Sequence, residues 1–318
     1  MNHFHDLFSR EPAVRSEAPG RVNLMGEHTD YNGGFVLPTP IAQTTRVELA
    51  PRDDRTVRAF SANAAGDAPL TYTLGDERPG RGWLDFVQGI TAVLRGEGMP
   101  PGGFDVRIES TVPVGGGVSS SASLSVALFR ALRTAFGLDL DDKRIALLGQ
   151  RVENQFVGAQ VGVMDPMACS LGRPGFALFL DTRSLEYEHV PLPAGSEWVV
   201  IHSGVAHDHS AGDYNTRRAE CERAGALLGV RRLRDLTDAD MPRVAALPAP
   251  LNRRARHVIT ENDRVHAAVR AMRHGDALNL GALFNASHQS QRDDYAVSVK
   301  EVDRLAELAR QEIGRAHV

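Results

Sequence analysis

Apolar and polar positions along the chain switch between two periods, and neither takes over. Thr45 to Leu49 and Thr56 to Phe60 alternate as strands do, and turn-like Pro51-Arg52-Asp53-Asp54 separates them. Asp85 to Leu94 reads as a short helix ahead of the Gly/Pro-rich break Gly96 to Gly103, and Phe104 to Ser110 alternates as a half-buried strand. Ser121 to Phe136 carries Leu124, Leu128, Leu132 and Ala135 on one stripe, with Gly137 just past the end as a stop signal. Asp141 is placed to cap a further helix whose Ile145, Leu148, Val152 and Phe156 share a face. The apolar runs Phe176 to Leu180 and Trp198 to His202 are expected as buried strands. Later come a charged helix from Asp213 to Leu228, a Pro-rich loop from Leu247 to Asn252, a helix from Asn262 to Arg273 and an amphipathic helix from Val302 to Ile313. Strands and helices without a regular βαβ rhythm predict an α+β fold rather than a doubly wound sheet. A gentle shift in composition near Pro191 to Ser196 sets the expected domains at residues 1–194 and 195–318.

Composition changes this picture little. Hydrophobic residues at 42% and charged residues at 24% belong to an ordinary globular chain able to bury one large core or two modest ones. A net charge of −4 leaves no electrostatic footprint for nucleic acid. No apolar run approaches the ~20 residues that span a bilayer. The polar start from Met1 to Glu11 is not a secretory signal, so a cytoplasmic location is expected. Cys169 and Cys221 have neither metal-ligand spacing nor a disulfide framework.

The chemistry is concentrated in four segments. Gly20-Arg21-Val22-Asn23-Leu24-Met25-Gly26-Glu27-His28-Thr29-Asp30-Tyr31-Asn32-Gly33-Gly34 follows neither the helical nor the strand period. A short strand, Arg21 to Leu24, running into this polar loop would aim several donors and acceptors at one small polar molecule. Pro113 to Ala122 places Gly115, Gly116 and Gly117, then Ser119, Ser120 and Ser121, between a strand and a helix. Glycines let the backbone wrap an anion, and the helix N-terminus supplies free N–H groups and a positive dipole end. No Gly-Lys-Ser/Thr follows, so this is not a Walker A loop. Glu153 sits at the edge of its helix's buried face, where a carboxylate suits Mg²⁺. Asp165 is an acid in the apolar turn Gly162-Val163-Met164-Asp165-Pro166 and calls for a cationic partner, for which Arg21 is the candidate. The plainer readings are a surface turn, a flexible loop with a Ser cap, a surface-helix Glu and a turn-forming Asp.

The first segment resembles the substrate motif of galactokinases, within the wider GHMP family of small-molecule kinases, with Met25 where Leu or Ile is more usual. The Gly/Ser segment resembles the family's ATP-binding second motif, with Val118 in place of Leu. The resemblance implies two α+β domains with the active site in the cleft between them, and transfer of the γ-phosphoryl of ATP to the anomeric hydroxyl of galactose. It implies that Glu27, His28 and Asp30 read the sugar hydroxyls and that Arg21 sits beside the reacting one. Gly115, Gly116, Gly117, Ser119, Ser120, Ser121 and Ala122 would hold ATP, Ser121 and Glu153 would hold Mg²⁺, and Asp165, near Gly162, would be the catalytic base. Tyr214 matches a sugar-contacting tyrosine and Trp83 an aromatic near the nucleotide. Ser287 to Tyr295 matches a stretch read as structural, holding the two domains together. Val161 and Pro166 depart from the family's Cys and Gln, and Pro166 is expected to press Asp165 toward extended geometry. The family's third, Gly-rich motif has no counterpart before Val318, so the resemblance implies a C-terminal domain without its last strands. That leaves open an inactive truncated kinase, a non-catalytic galactose- and ATP-binding regulator, or a kinase for a related sugar. A monomer is expected.

Overall fold

The computed structural model describes residues 3–205 and 210–312. The chain forms two compact units, one of Met1–Val22 with Pro40–Leu171 and the other of Asn23–Thr39 with Gly172–Val318.

The first unit opens with a short helix, α1 (Phe4–Phe8), and is built on a five-stranded sheet. Its strands are β1 (Val14–Asn23), β3 (Pro38–Pro51), β4 (Thr56–Ser61), β5 (Leu70–Thr73) and β6 (Phe104–Ser110), in the order β1-β3-β6-β4-β5; β2 (Phe35–Val36) belongs to the second unit. β6 runs antiparallel to β3, with Val47 opposite Ile108, and parallel to β4, with Val57 opposite Phe104. The parallel pair requires a crossover, and α2 (Leu84–Gly96) lies on that connection. On the covered face Val57, Ala59, Phe104 and Val106 are fully buried against α2, α3 (Ser120–Phe136) and α4 (Asp142–Val152).

Phe104 to Ser110 was expected to be half-buried, yet its first five residues are all inaccessible. The reason lies on the opposite face, where the Asp105 carboxylate is enclosed by Arg10, Arg52 and Arg58 and Arg107 is paired with Glu109. Burial pushes the Asp105 carboxyl up, but these guanidinium groups outweigh it and hold its pKa below the ordinary value. α3 is likewise buried beyond its expected stripe. Val126 and Phe129 are inaccessible while Leu124 is half-buried, because α4 and α5 (Met164–Leu171) both pack on it.

The second unit pairs β2 with β7 (Phe176–Asp181) and β7 with β8 (Tyr187–Pro191), both antiparallel. Its helices are α6 (Ser210–Leu228), α7 (Met241–Ala245), α8 (Leu251–Arg273), α9 (Ala277–Ser290) and α10 (Lys300–Glu312). β7 pairs with β2 and β8 with β7, which places residues 172–191 in the same unit as the Asn23–Thr39 segment. α8 begins eleven residues before the expected Asn262, since Leu251, Ala255 and Val258 extend its buried stripe. Trp198 to His202 forms no strand: it is exposed along its length, Val199 to 69%, and Trp198 touches Phe284 edge-on. Ser287 to Tyr295, expected to tie two domains together, closes α9 and continues as a π-helical turn that packs on α8.

Candidate functional site

In the first unit, β1 carries Arg21 to the glycine-rich loop. The Arg21 amide donates to Val118 O (3.1 Å), and a Cβ on neighbouring Gly20 would lie 2.7 Å from that same oxygen, so the strand end and the loop approach as only glycine allows. The guanidinium donates from Nη1 to Gly117 O (2.7 Å), and its Nε (2.8 Å) and Nη2 (2.7 Å) both meet Asp165 Oδ1. Ser119, left-handed at φ 62°, stands at the start of α3 without capping it. Its hydroxyl instead donates to Asp165 Oδ2 (2.7 Å), so both carboxylate oxygens are engaged.

Asp165 is helical, in the first turn of α5, which corrects the expected extended geometry. Pro166 is tolerated there because a first-turn N–H has no intrahelical partner to lose. Ser121 donates to Glu153 Oε2 (3.2 Å). Glu153 opens a π-helical turn, Glu153–Val157, and is only 5% exposed. Burial, reinforced by the charge of Asp165, pushes its pKa up to about 7.

The other first-unit residues expected at the site are spread over the elements of the same unit. Gly115, Gly116 and Gly117 form the exposed approach to α3, Ser120 starts the helix and Ala122 is buried beneath it. Gly162 lies on the connection between the π turn and α5. Trp83 precedes α2 and packs on the unit's hydrophobic core.

Glu27, His28, Asp30 and Tyr214 lie in the second unit. The loop that carries the first three turns at Gly26 (φ 97°) and at His28, non-glycine yet left-handed at φ 61°. Thr29 Oγ1 bridges Gly26 O (2.9 Å) and Phe35 O (2.6 Å), and Asp30 opens a 3₁₀ turn closed at Gly33. His28 Nδ1 meets the Tyr31 hydroxyl (3.0 Å), which meets that of Tyr295 (2.7 Å), while the Tyr214 ring lies 5.8 Å from His28 and 5.0 Å from Tyr31. Burial first, helped by the charge of Arg217, holds the His28 pKa far below its ordinary value, so the ring is neutral at physiological pH.

Sequence reasoning missed the side chains behind this loop. His257 Nε2 meets Glu27 O (3.0 Å), Glu261 Oε1 accepts from the Gly26 amide (2.9 Å), and Asn262 Oδ1 accepts from the Phe35 amide (3.0 Å). A signal existed: His257 and Glu261 are polar, one helical turn apart, on the stripe that Val258 and Val265 make apolar.

Residues 2–51 match a galactokinase galactose-binding signature, and residues 85–173 match the GHMP kinases N terminal domain. A galactokinase of Chloroflexus aurantiacus is 42% identical over 314 residues, covering 96% of this chain and 80% of that protein. The chain belongs to the galactokinase family. A second galactokinase, from Chloroflexus aggregans, is 41% identical over the same coverage. The crystal structure of Lactococcus lactis galactokinase complexed with galactose superposes with a TM-score of 0.90 at 31% identity, covering 97% of this chain and 82% of that one. Galactokinase membership thus spans both units, since 97% coverage reaches far beyond the two matched segments.

Two predictions follow from the geometry. Glu153 keeps its proton to about pH 7 when folded and releases it near 4.5 when unfolded, so raising pH through that window favours unfolding, with the cost levelling off above it. Glu153→Gln is therefore expected to stabilise the ligand-free protein by on the order of 3 kcal/mol at pH 8 and by little at pH 4.5. Urea denaturation at the two pH values checks this, and an equal effect at both would show that Glu153 is ionised when folded. Gly26→Ala would put a Cβ against Phe35 O at a positive φ, and a loss of at least about 1–2 kcal/mol is expected in the same assay.

Proposed function

We propose that this chain phosphorylates D-galactose at its anomeric hydroxyl, with ATP as phosphoryl donor. The observation that carries the reading is the carboxylate of Asp165, held on one oxygen by Arg21 and on the other by Ser119 at the end of a glycine-rich loop. Phosphoryl transfer asks mainly for positioning and for neutralisation of the phosphate oxygens. The amides of Gly115 to Gly117 and the start of α3 suit those oxygens. Asp165 accepts the proton of the sugar hydroxyl as its oxygen bonds to the γ-phosphorus, the bond to the β-phosphate oxygen breaks and ADP departs. Arg21, fixed by Gly117 O, orients the carboxylate and shields the charge that builds beside it.

Glu153 and Ser121 suit Mg²⁺. A buried carboxylate with a raised pKa gains its charged form beside a cation, and one carboxylate, one hydroxyl and substrate phosphates are a set that Mg²⁺ accepts. Bound there, Mg²⁺ would offset phosphate charge. Glu27, His28, Asp30 and Tyr214 read the sugar. The neutral imidazole of His28 offers a directional donor or acceptor, and a site made of such groups rejects a sugar that leaves one of them unpaired.

ADP release by this chain with Mg-ATP is expected to depend on D-galactose, and galactose-independent release would refute the reading. Asp165→Ala is expected to lower turnover roughly 10²–10⁴-fold, a smaller loss excluding a general base. Asp30→Ala is expected to weaken galactose binding with little effect on ATP affinity, which calorimetry reads directly.

A further inference from the structure

α8 presents three polar side chains to the backbone of the loop that carries Glu27, His28 and Asp30. His257 is fully buried. A carbonyl only accepts, so the hydrogen bond to Glu27 O places a proton on Nε2, while Nδ1 meets Ser290 Oγ (2.8 Å). Glu261 is also fully buried, and each of its oxygens is used. Oε1 accepts from the Gly26 amide (2.9 Å) and from Ser287 Oγ (2.7 Å), and Oε2 meets Arg264 Nε (2.6 Å). Asn262 accepts the Phe35 amide where the loop re-enters β2. The three contacts bracket residues 26–35, whose backbone includes the left-handed His28. A non-glycine residue keeps that conformation when its surroundings over-determine it.

We propose that His257 and Glu261 are positioning residues for galactose: they preset the backbone of the 26–35 loop so that Glu27, His28 and Asp30 present the geometry the sugar requires. This rests on the sugar-reading role of that loop. His257 and Glu261 form no part of the reading surface, since both are inaccessible. Burial lowers the His257 pKa, which fits a ring that serves as a neutral donor to a carbonyl.

The test is calorimetric titration of the full chain with D-galactose and, separately, with Mg-ATP. His257→Leu removes the donor that reaches Glu27 O, for which the expected weakening of galactose affinity is roughly tenfold or more. ATP affinity is expected to stay within about twofold of wild type, and His257→Gln, whose amide can still donate to Glu27 O, is expected to recover most of the galactose affinity. A merely structural role would instead reduce the fraction of competent protein and leave the galactose affinity of that fraction unchanged. That outcome, or parallel losses for both ligands, overturns the proposal. If His257→Leu does not fold, Ser287→Ala serves in its place, with a severalfold loss of galactose affinity expected and no change refuting the proposal. Asp30→Ala separates the two readings. If it weakens galactose binding while His257→Leu does not, only the positioning role fails; if neither variant changes it, the sugar-reading role of the loop fails as well.

Discussion

The chemistry of the first unit turns on the arrangement of one cation and two acids. Arg21 gives two of its nitrogens to a single oxygen of Asp165 and a third to the backbone of the glycine-rich loop, so one side chain fixes both a carboxylate and a loop. Ser119 completes the arrangement by engaging the second oxygen of Asp165 in place of capping its own helix. Glu153 is left as a buried acid whose pKa is raised by that burial and by the charge of Asp165, which outweigh Ser121 and Arg21.

The second unit meets a different constraint. A loop with a left-handed histidine and a glycine that cannot carry a side chain has a backbone unlike any regular element, and its amides and carbonyls need partners nonetheless. α8 supplies them from the interior, at the cost of burying a carboxylate and an imidazole. Arg264 and the two hydrogen bonds to Oε1 outweigh that burial and hold the Glu261 pKa below its ordinary value.

Much of this was legible in the sequence because the signals were local. The span from Phe104 to Ser110, the Asp141 cap and the Gly137 stop all depend on neighbours within a few residues, and they stand as read. The pairing of Arg21 with Asp165 was legible from chemistry, since an acid in an apolar turn needs a cation. What failed depended on distant partners. Pro166 looked disruptive until its place in a first helical turn was known, and Trp198 to His202 looked buried because apolar content was taken for a partner. The contact of Ser119 with Asp165 spans forty-six residues, and that of Glu261 with Gly26 spans 235, and no window along the chain connects such pairs.

The left-handed turn at His28 also bears on the heat of binding. Its cost is met when the chain folds, within a backbone already tied down at Gly26, Glu27 and Phe35. On the proposed sugar-reading role, a sugar arriving at such a loop would have little chain to order, so the ordering entropy that usually offsets hydrogen-bond formation would be small. If the loop reads the sugar as proposed, the heat of association would then owe little to reshaping of the protein around the ligand.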